Sequence, residues 1–152
     1  MSKRIFTKRF MGTVAYDSGP PPDIGFNAID SWLAQEDIEV LGAAITVVPD
    51  SPSENDGYTW CAIELSQVGI YGQDGAILQA VAMEGWNTTP AGISVAVGNM
   101  SVSFPDGEVI PVREEGILYI NSRGYGKSAG QSGYSYSVTV YYTKKGTRRT
   151  RA

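Results

Sequence analysis

The stretch from Asn121 to Ser128 has residue types that could bind phosphate. It ends in Gly126-Lys127-Ser128, which is how a nucleotide-binding P-loop ends. That motif needs a glycine where this chain has Asn121, and it opens a helix whose N-terminus holds the phosphate. Here the residues that follow lead to a strand-like sequence beginning near Gly133. We therefore reject a phosphate site at this position.

The acidic residues could supply general acids and bases or bind a metal ion. All 16 of them lie between positions 17 and 115, and the chain has no histidine, which removes the commonest general base and metal ligand. The loop Asp50–Gly57 carries three acids, but these miss the EF-hand spacing, and no flanking helices are predicted. Glu114 and Glu115 are adjacent, so on a strand they would face opposite ways. The sequence therefore predicts neither an enzyme nor a bound metal or cofactor.

Cys61 is the only cysteine, so a disulfide within the chain is excluded. A reactive thiol is usually activated by a nearby cation or a helix N-terminus, and the neighbouring sequence offers neither. Cys61 shares one face of a predicted strand with Ile63 and Leu65. We predict that Cys61 is a small buried hydrophobic residue.

Most of the chain consists of short runs of β-branched and aromatic residues, which are typical of β-strands. The hydrophobic fraction is 42% and the charged fraction 18%, with 18 glycines and nine tyrosines. About eight or nine such runs, spaced near ten residues apart, predict an all-β sandwich or closed barrel. One run, Ile38–Val48, changes phase at Gly42, which indicates a bulge or bend. One short helix is expected over residues 28–35, capped by Asn27, with Ile29, Trp32 and Leu33 on one face.

Two further stretches have clear alternation. Apolar residues occupy the odd positions 93–97 and the even positions 100–104, so a two-residue turn at Gly98-Asn99 would place them on one face of a hairpin. A single long strand with a bulge at Gly98 is the alternative. In the run Tyr134–Tyr142 the even positions are apolar or aromatic and the odd ones mostly Ser or Thr. This pattern predicts a strand whose tyrosines face the core.

Charge is segregated along the chain. Nine of the 12 basic residues lie in the first nine and last nine positions, while residues 10–143 hold all 16 acids. We therefore predict three regions: a basic arm and Pro-rich hinge over 1–22, a body over 23–143 and a basic tail over 144–152. The segment Ile5–Tyr16 can be either an arm or an edge strand. The predicted assembly contacts are Lys3, Arg4, Ile5, Phe6, Lys8, Arg9, Phe10, Lys144, Lys145, Arg148, Arg149 and Arg151.

Basic arms attached to an acidic body either neutralise nucleic acid or lie across the acidic body of a neighbouring subunit. We favour the neighbour, because the N-terminal segment mixes apolar residues with its charges. Nucleic acid is the second candidate partner. No apolar run approaches the length of a membrane span, and no signal-peptide pattern follows Met1.

The run Phe104–Ile120, the Gly/Ser-rich stretch after it and the strand Tyr134–Tyr142 resemble the C-terminal half of small jelly-roll proteins of bacteriophage and other virions. This resemblance implies a single jelly roll and a structural role as a capsid, penton, cement or decoration subunit. It also implies homo-oligomers, contacts with other virion proteins, synthesis in the host cytoplasm and a final location in the virion. A carbohydrate- or receptor-binding jelly-roll module, as in a fibre or spike head, is the alternative, since exposed aromatic rings can stack on sugars.

Overall fold

The computed structural model describes residues 4–14, 23–24, 28–49, 57–87, 92–125 and 133–145. These residues contain no helix, and all pairs of neighbouring strands are antiparallel, so the predicted all-β class is confirmed. The strands, in chain order, are β1 (Phe6–Val14), β2 (Asp23–Ile24), β3 (Ala28–Leu33), β4 (Ile38–Pro49), β5 (Gly57–Ser66), β6 (Ala76–Asn87), β7 (Gly92–Ala96), β8 (Gly98–Ser103), β9 (Ile110–Val112), β10 (Ile117–Tyr125) and β11 (Tyr134–Lys144).

Two sheets form the sandwich. The first sheet has the order β1-β11-β4-β8, with β9 also paired to β4, and the second has the order β2-β10-β5-β6-β7, with β3 also paired to β10. Strands from the two ends of the chain are therefore neighbours: β1 lies beside β11, and β2 and β3 lie beside β10. A long antiparallel hairpin rolled into two packed sheets has this connectivity, which is the jelly roll. The predicted all-β sandwich is thus confirmed.

The core lies between the sheets and follows the alternation of the central strands. In β11 the even positions 134–140 are buried, including both tyrosines, as predicted. In β4 the buried set changes parity where the register with β11 shifts opposite Leu41 and Gly42, which confirms the predicted bulge. Cys61, Ile63 and Leu65 are all fully buried, so the prediction for Cys61 is also confirmed.

The helix predicted over residues 28–35 is wrong. Residues Ala28–Leu33 form strand β3, which pairs with β10 through Leu33 opposite Ile117. Trp32 packs against the core, whereas Ile29 and Leu33 are exposed. Six residues are too few for a helix to be stable without packing, so the ladder with β10 decides the conformation.

The hairpin predicted at Gly98-Asn99 is also wrong. Strand β7 pairs with β6 in the second sheet, and β8 pairs with β4 in the first, so the chain crosses between sheets at Val97 instead of turning back. The change of parity in the sequence therefore reflects a change of sheet. The alternative, a single long strand with a bulge at Gly98, is not observed either, because β7 and β8 are separate strands in different sheets.

The N-terminal segment is an edge strand over its described part. Strand β1 pairs with β11 from Phe6 opposite Tyr142 to Val14 opposite Tyr134. Phe10 and Val14 are buried in the core. The two possibilities left open by the sequence are therefore resolved for residues 6–14 in favour of the strand. The predicted hinge after it lies outside the described residues, and the three-region division stays a prediction.

Candidate functional site

Aromatic rings join the two sheets where β1, β3 and β11 meet. Phe6 stacks on Tyr142 with ring centroids 5.6 Å apart, and Tyr142 contacts Trp32 at 4.9 Å. Phe6 and Tyr142 face each other across the ladder of the first sheet, whereas Trp32 belongs to the second. These contacts hold the first strand to the body and close this edge of the sandwich.

Basic side chains from the predicted assembly set lie over these rings. The Lys144 ammonium is 4.6 Å from the centroid of Phe6, and the Arg4 guanidinium is 5.1 Å from the same ring. The Lys8 ammonium is 5.4 Å from the centroid of Phe10. Each contact of this kind contributes about 0.5–1 kcal/mol at an exposed site. Part of the basic charge is therefore used within the chain.

The predicted assembly residues divide into three groups. Arg4, Ile5 and Arg9 are exposed, as are Lys144 and Lys145. Phe6 and Lys8 are half-buried, and Phe10 is a core residue with internal contacts. Lys3, Arg148, Arg149 and Arg151 lie outside the described residues.

One end of the sandwich is acidic. Four segments lie at this end, because β3 pairs with β10 and β9 pairs with β4 there. They are the loop between β3 and β4, the start of β4, the loop between β8 and β9, and the turn between β9 and β10. The described acids at this end are Glu36, Asp37, Glu39, Asp106, Glu108, Glu114 and Glu115.

Asp37 connects the segments at this end. Its carboxylate accepts a hydrogen bond from the backbone N–H of Glu114 at 2.8 Å, and its carbonyl accepts one from the N–H of Lys145 at 3.0 Å. Lys144 forms an ion pair with Glu36 at 3.3 Å. Since β1 begins opposite the end of β11, Arg4 and Lys145 both lie at this end. Arg4 and Lys145, which are the described residues nearest the two chain ends, therefore lie next to the acidic end of the sandwich.

A pocket of about 790 Å³ opens at the acidic end between β4, the end of β11 and the loop before β9. Its polar lining comes from Glu39, Asp106, Thr143 and Lys145, and its apolar lining from Ile5, Leu41, Val109 and Pro111. Thr143 is 3% exposed, and its hydroxyl oxygen has no hydrogen-bond partner. Interior hydroxyl groups are normally hydrogen-bonded, so this one stands out. Nothing in the sequence pattern singles out Thr143, because it follows the alternation of its strand like the outward-facing residues before it.

A second polar cluster lies on the outer side of the other sheet. Glu64 is 1% exposed, and its carboxylate accepts hydrogen bonds from the Gly72 N–H at 3.1 Å and from the Asn121 side-chain amide at 3.0 Å. The same amide donates to the Val68 carbonyl at 2.8 Å. These bonds attach the loop 67–75 to the sheet. Sequence reasoning missed the cluster, because Glu64 and Asn121 are far apart in the chain and neither belongs to a motif.

The pKa of Tyr71, a residue in the loop 67–75, is affected by burial and by charges at this cluster. Burial raises the pKa of the Tyr71 hydroxyl above its ordinary value, and the Glu64 carboxylate raises it further, whereas Arg123 lowers it. Tyr71 and Gln79 are hydrogen-bonded through the hydroxyl and the side-chain carbonyl at 2.5 Å. A buried carboxylate whose contacts are mainly to backbone and amide groups fixes the position of a loop. We therefore assign Glu64 a structural role.

None of the other candidate chemical residues named from the sequence forms a reactive or metal-binding site among the described residues. Asn121–Tyr125 form the end of β10, and the rest of the P-loop-like stretch, residues 126–128, lies outside the described residues. Burial raises the pKa of the Cys61 thiol to about 12. Among the described residues, no group of three or more acidic or cysteine side chains is placed to hold a metal ion. Within the same residues, no helix is long and apolar enough to span a membrane. The loop 50–56 lies outside the described residues.

Comparisons with known proteins give structural neighbours but no family. No protein-family model matches the sequence, and no curated protein matches it. A protein of the disulfide-linked pili of Bacillus endospore appendages shares 12% identity over 95% of this chain and 91% of its own, with a TM-score of 0.38. Eiger TNF of S. frugiperda shares 9% identity over 97% of this chain and 99% of its own, with a TM-score of 0.39.

The chain also resembles the VP2 subviral particle protein of infectious bursal disease virus. That protein shares 16% identity over 93% of this chain, with a TM-score of 0.41. The match covers 32% of the viral protein. All three scores are below 0.5, so the function must be inferred from this chain's own residues.

Proposed function

We propose that this chain is a non-enzymatic structural subunit of a virion, of the capsid, penton or cement and decoration kind. It assembles with copies of itself and with other virion proteins. The jelly roll serves many functions, so the fold alone does not carry this proposal. The observation that carries it is the opposition of charge: basic terminal segments begin beside an acidic end of the body.

The physical basis of assembly is the cost of ordering a basic segment. Fixing the backbone costs about 1–2 kcal/mol per residue, so a segment becomes ordered only when its contacts offset that loss. An acidic surface on a neighbour supplies charge-assisted hydrogen bonds, which are roughly twice as strong as neutral ones. The cations of Arg4, Lys8 and Lys144 already lie over rings of their own chain, and the segment beyond Lys145 adds three arginines that can contact a neighbour.

The test is the size of the purified full-length protein over a wide concentration range. Light scattering after size-exclusion chromatography, with electron microscopy of the same fractions, should show a closed oligomer or a particle. A protein that stays monomeric at all concentrations would refute the proposal. Binding to DNA should be measured at low and at physiological salt, because contacts to phosphate weaken steeply with salt. Tight, salt-sensitive DNA binding would identify the genome, and not a neighbour, as the partner of the basic segments.

A further inference from the structure

The pocket at the acidic end contains a polar group that the fold does not use. Thr143 lines the pocket, and its hydroxyl oxygen is buried and lacks a hydrogen-bond partner. A buried hydroxyl without a partner destabilises the folded chain, because it has lost its hydrogen bonds to water. A ligand that donates a hydrogen bond to Thr143 would remove this penalty. The pocket therefore favours a hydrogen-bond donor.

The remaining lining residues favour a donor that is positively charged and has an apolar stem. Glu39 and Asp106 supply two carboxylates, while Lys145 is the one cation among the described lining residues. Glu39 also takes part in an interaction within the chain. Leu41 and Val109 form part of the apolar wall of the pocket. An arginine side chain fits this chemistry, because a long aliphatic stem carries five N–H donors in a planar group.

An adjoining depression brings two more carboxylates, those of Asp37 and Glu114, next to the pocket, together with the Arg113 guanidinium. It shares Pro111 and Lys145 with the pocket. Of the two, only the pocket itself has more carboxylates than cations among its described lining residues, so we expect it to hold a single arginine side chain. The chain itself contains a segment that could supply it, since Arg148, Arg149 and Arg151 follow Lys145 without an intervening acid.

We propose that this pocket binds an arginine from the C-terminal segment of a second copy of the chain. This inference rests on the proposed function and names the contact by which copies associate. Because the pocket and the start of the segment lie at the same end of the body, two copies that face each other across a two-fold axis exchange segments reciprocally. Isologous two-fold pairs of this kind are the commonest oligomers.

Only two residues, Gly146 and Thr147, separate Lys145 from the first arginine of the segment. Lys145 is itself part of the pocket lining, and the three residues from Lys145 to Arg148 span at most roughly 10 Å when extended. To enter its own pocket, Arg148 would have to return within Gly146 and Thr147. A facing copy needs no such reversal.

The test uses two full-length variants with complementary defects. The pocket variant is Glu39→Gln/Asp106→Asn, and the tail variant replaces all three arginines by glutamine. Each variant alone should associate at least roughly tenfold more weakly than the wild type in sedimentation equilibrium, because each lacks one half of the contact. An equimolar mixture should regain association, since the tail variant keeps the pocket and the pocket variant keeps the arginines. Regain in the mixture is expected only when the contact is made between copies.

The matched control is Asp30→Asn/Asp74→Asn, which makes the same change in net charge at exposed positions outside the pocket lining. It should associate like the wild type. A pocket variant that associates as well as the control, or a mixture no better than either variant alone, overturns the inference while leaving the proposed function standing. A wild-type chain that never associates refutes the proposed function itself.

A third variant, Thr143→Val, tests the hydroxyl directly. Valine has nearly the same shape but no acceptor, so the isolated chain should melt at the same or a higher temperature. Association should nevertheless become weaker. A variant that associates like the wild type would show that the hydroxyl makes no contact with the bound segment.

Discussion

Replacing Gly98 tests how the chain crosses from one sheet to the other. A Cβ atom at this position would lie 2.4 Å from the Val81 carbonyl oxygen, 2.6 Å from its carbonyl carbon and 2.9 Å from its nitrogen. Ordinary contacts begin near 3.4 Å, so β8 and β6 would have to separate by about 1 Å. The obstacle is backbone, and β6 is held by ladders with β5 and β7 on its two sides. The contact therefore cannot relax by rotating a side chain.

Overpacking of this kind costs about 1–3 kcal/mol. For a chain of this size, each kcal/mol lowers Tm by about 2–4 °C, so Gly98→Ala should melt roughly 2–12 °C below the wild type. Urea denaturation followed by circular dichroism should give the free-energy change, and calorimetry should give Tm. Gly107 provides the contrast, because its φ is +88° and no heavy atom lies within 4 Å of an added Cβ. At Gly107 the cost comes from the backbone conformation alone.

Asparagine separates the two causes. It adopts positive φ more readily than alanine, so Gly107→Asn should be more stable than Gly107→Ala. At Gly98 the clash with Val81 affects both replacements, so Gly98→Asn should be at least as destabilised as Gly98→Ala. If Gly98→Asn instead matches the wild type, position 98 adopts a left-handed turn conformation, and the close approach of β8 to β6 is refuted.

Three further predictions follow from burial. Phe10→Ala should destabilise the fold by about 3–5 kcal/mol in urea denaturation, whereas Ile5→Ala should change it by less than about 0.5 kcal/mol; equal effects would contradict the assignment of β1 to the body. Glu64→Gln should destabilise the fold by about 1–3 kcal/mol and speed hydrogen exchange at the Gly72 amide, and unchanged exchange would refute the anchoring role of Glu64. Cys61 should react slowly with thiol reagents until the chain is unfolded. In the folded chain the pKa of the Cys61 thiol is raised from 9.0 to about 12. As pH rises, the unfolded chain therefore loses this proton first, so the free energy of unfolding should fall above about pH 9. This fall should be less steep in Cys61→Ala.

The sequence determined the fold class and much of the core. Alternation with a period of two is a local property, so the burial of the even positions in Tyr134–Tyr142 could be predicted from that stretch alone. The same reasoning placed Cys61 on the buried face of its strand. The bulge at Gly42 was predictable for the same reason, because it interrupts an otherwise regular pattern. The opposition between basic ends and an acidic middle was likewise visible in the order of residues.

Only the tertiary structure decided which strands pair and which residues from distant segments meet. A change of parity at Gly98 has the same local pattern in a hairpin and in a strand that changes sheets, and the pairing with β4 and β6 distinguishes them. The short segment 28–33 fits a helical stripe and a strand equally well until β10 supplies its hydrogen bonds. Glu64 and Asn121, like Thr143 and the pocket around it, have no local pattern at all. Their burial depends on contacts between residues far apart in the chain, which no periodicity records.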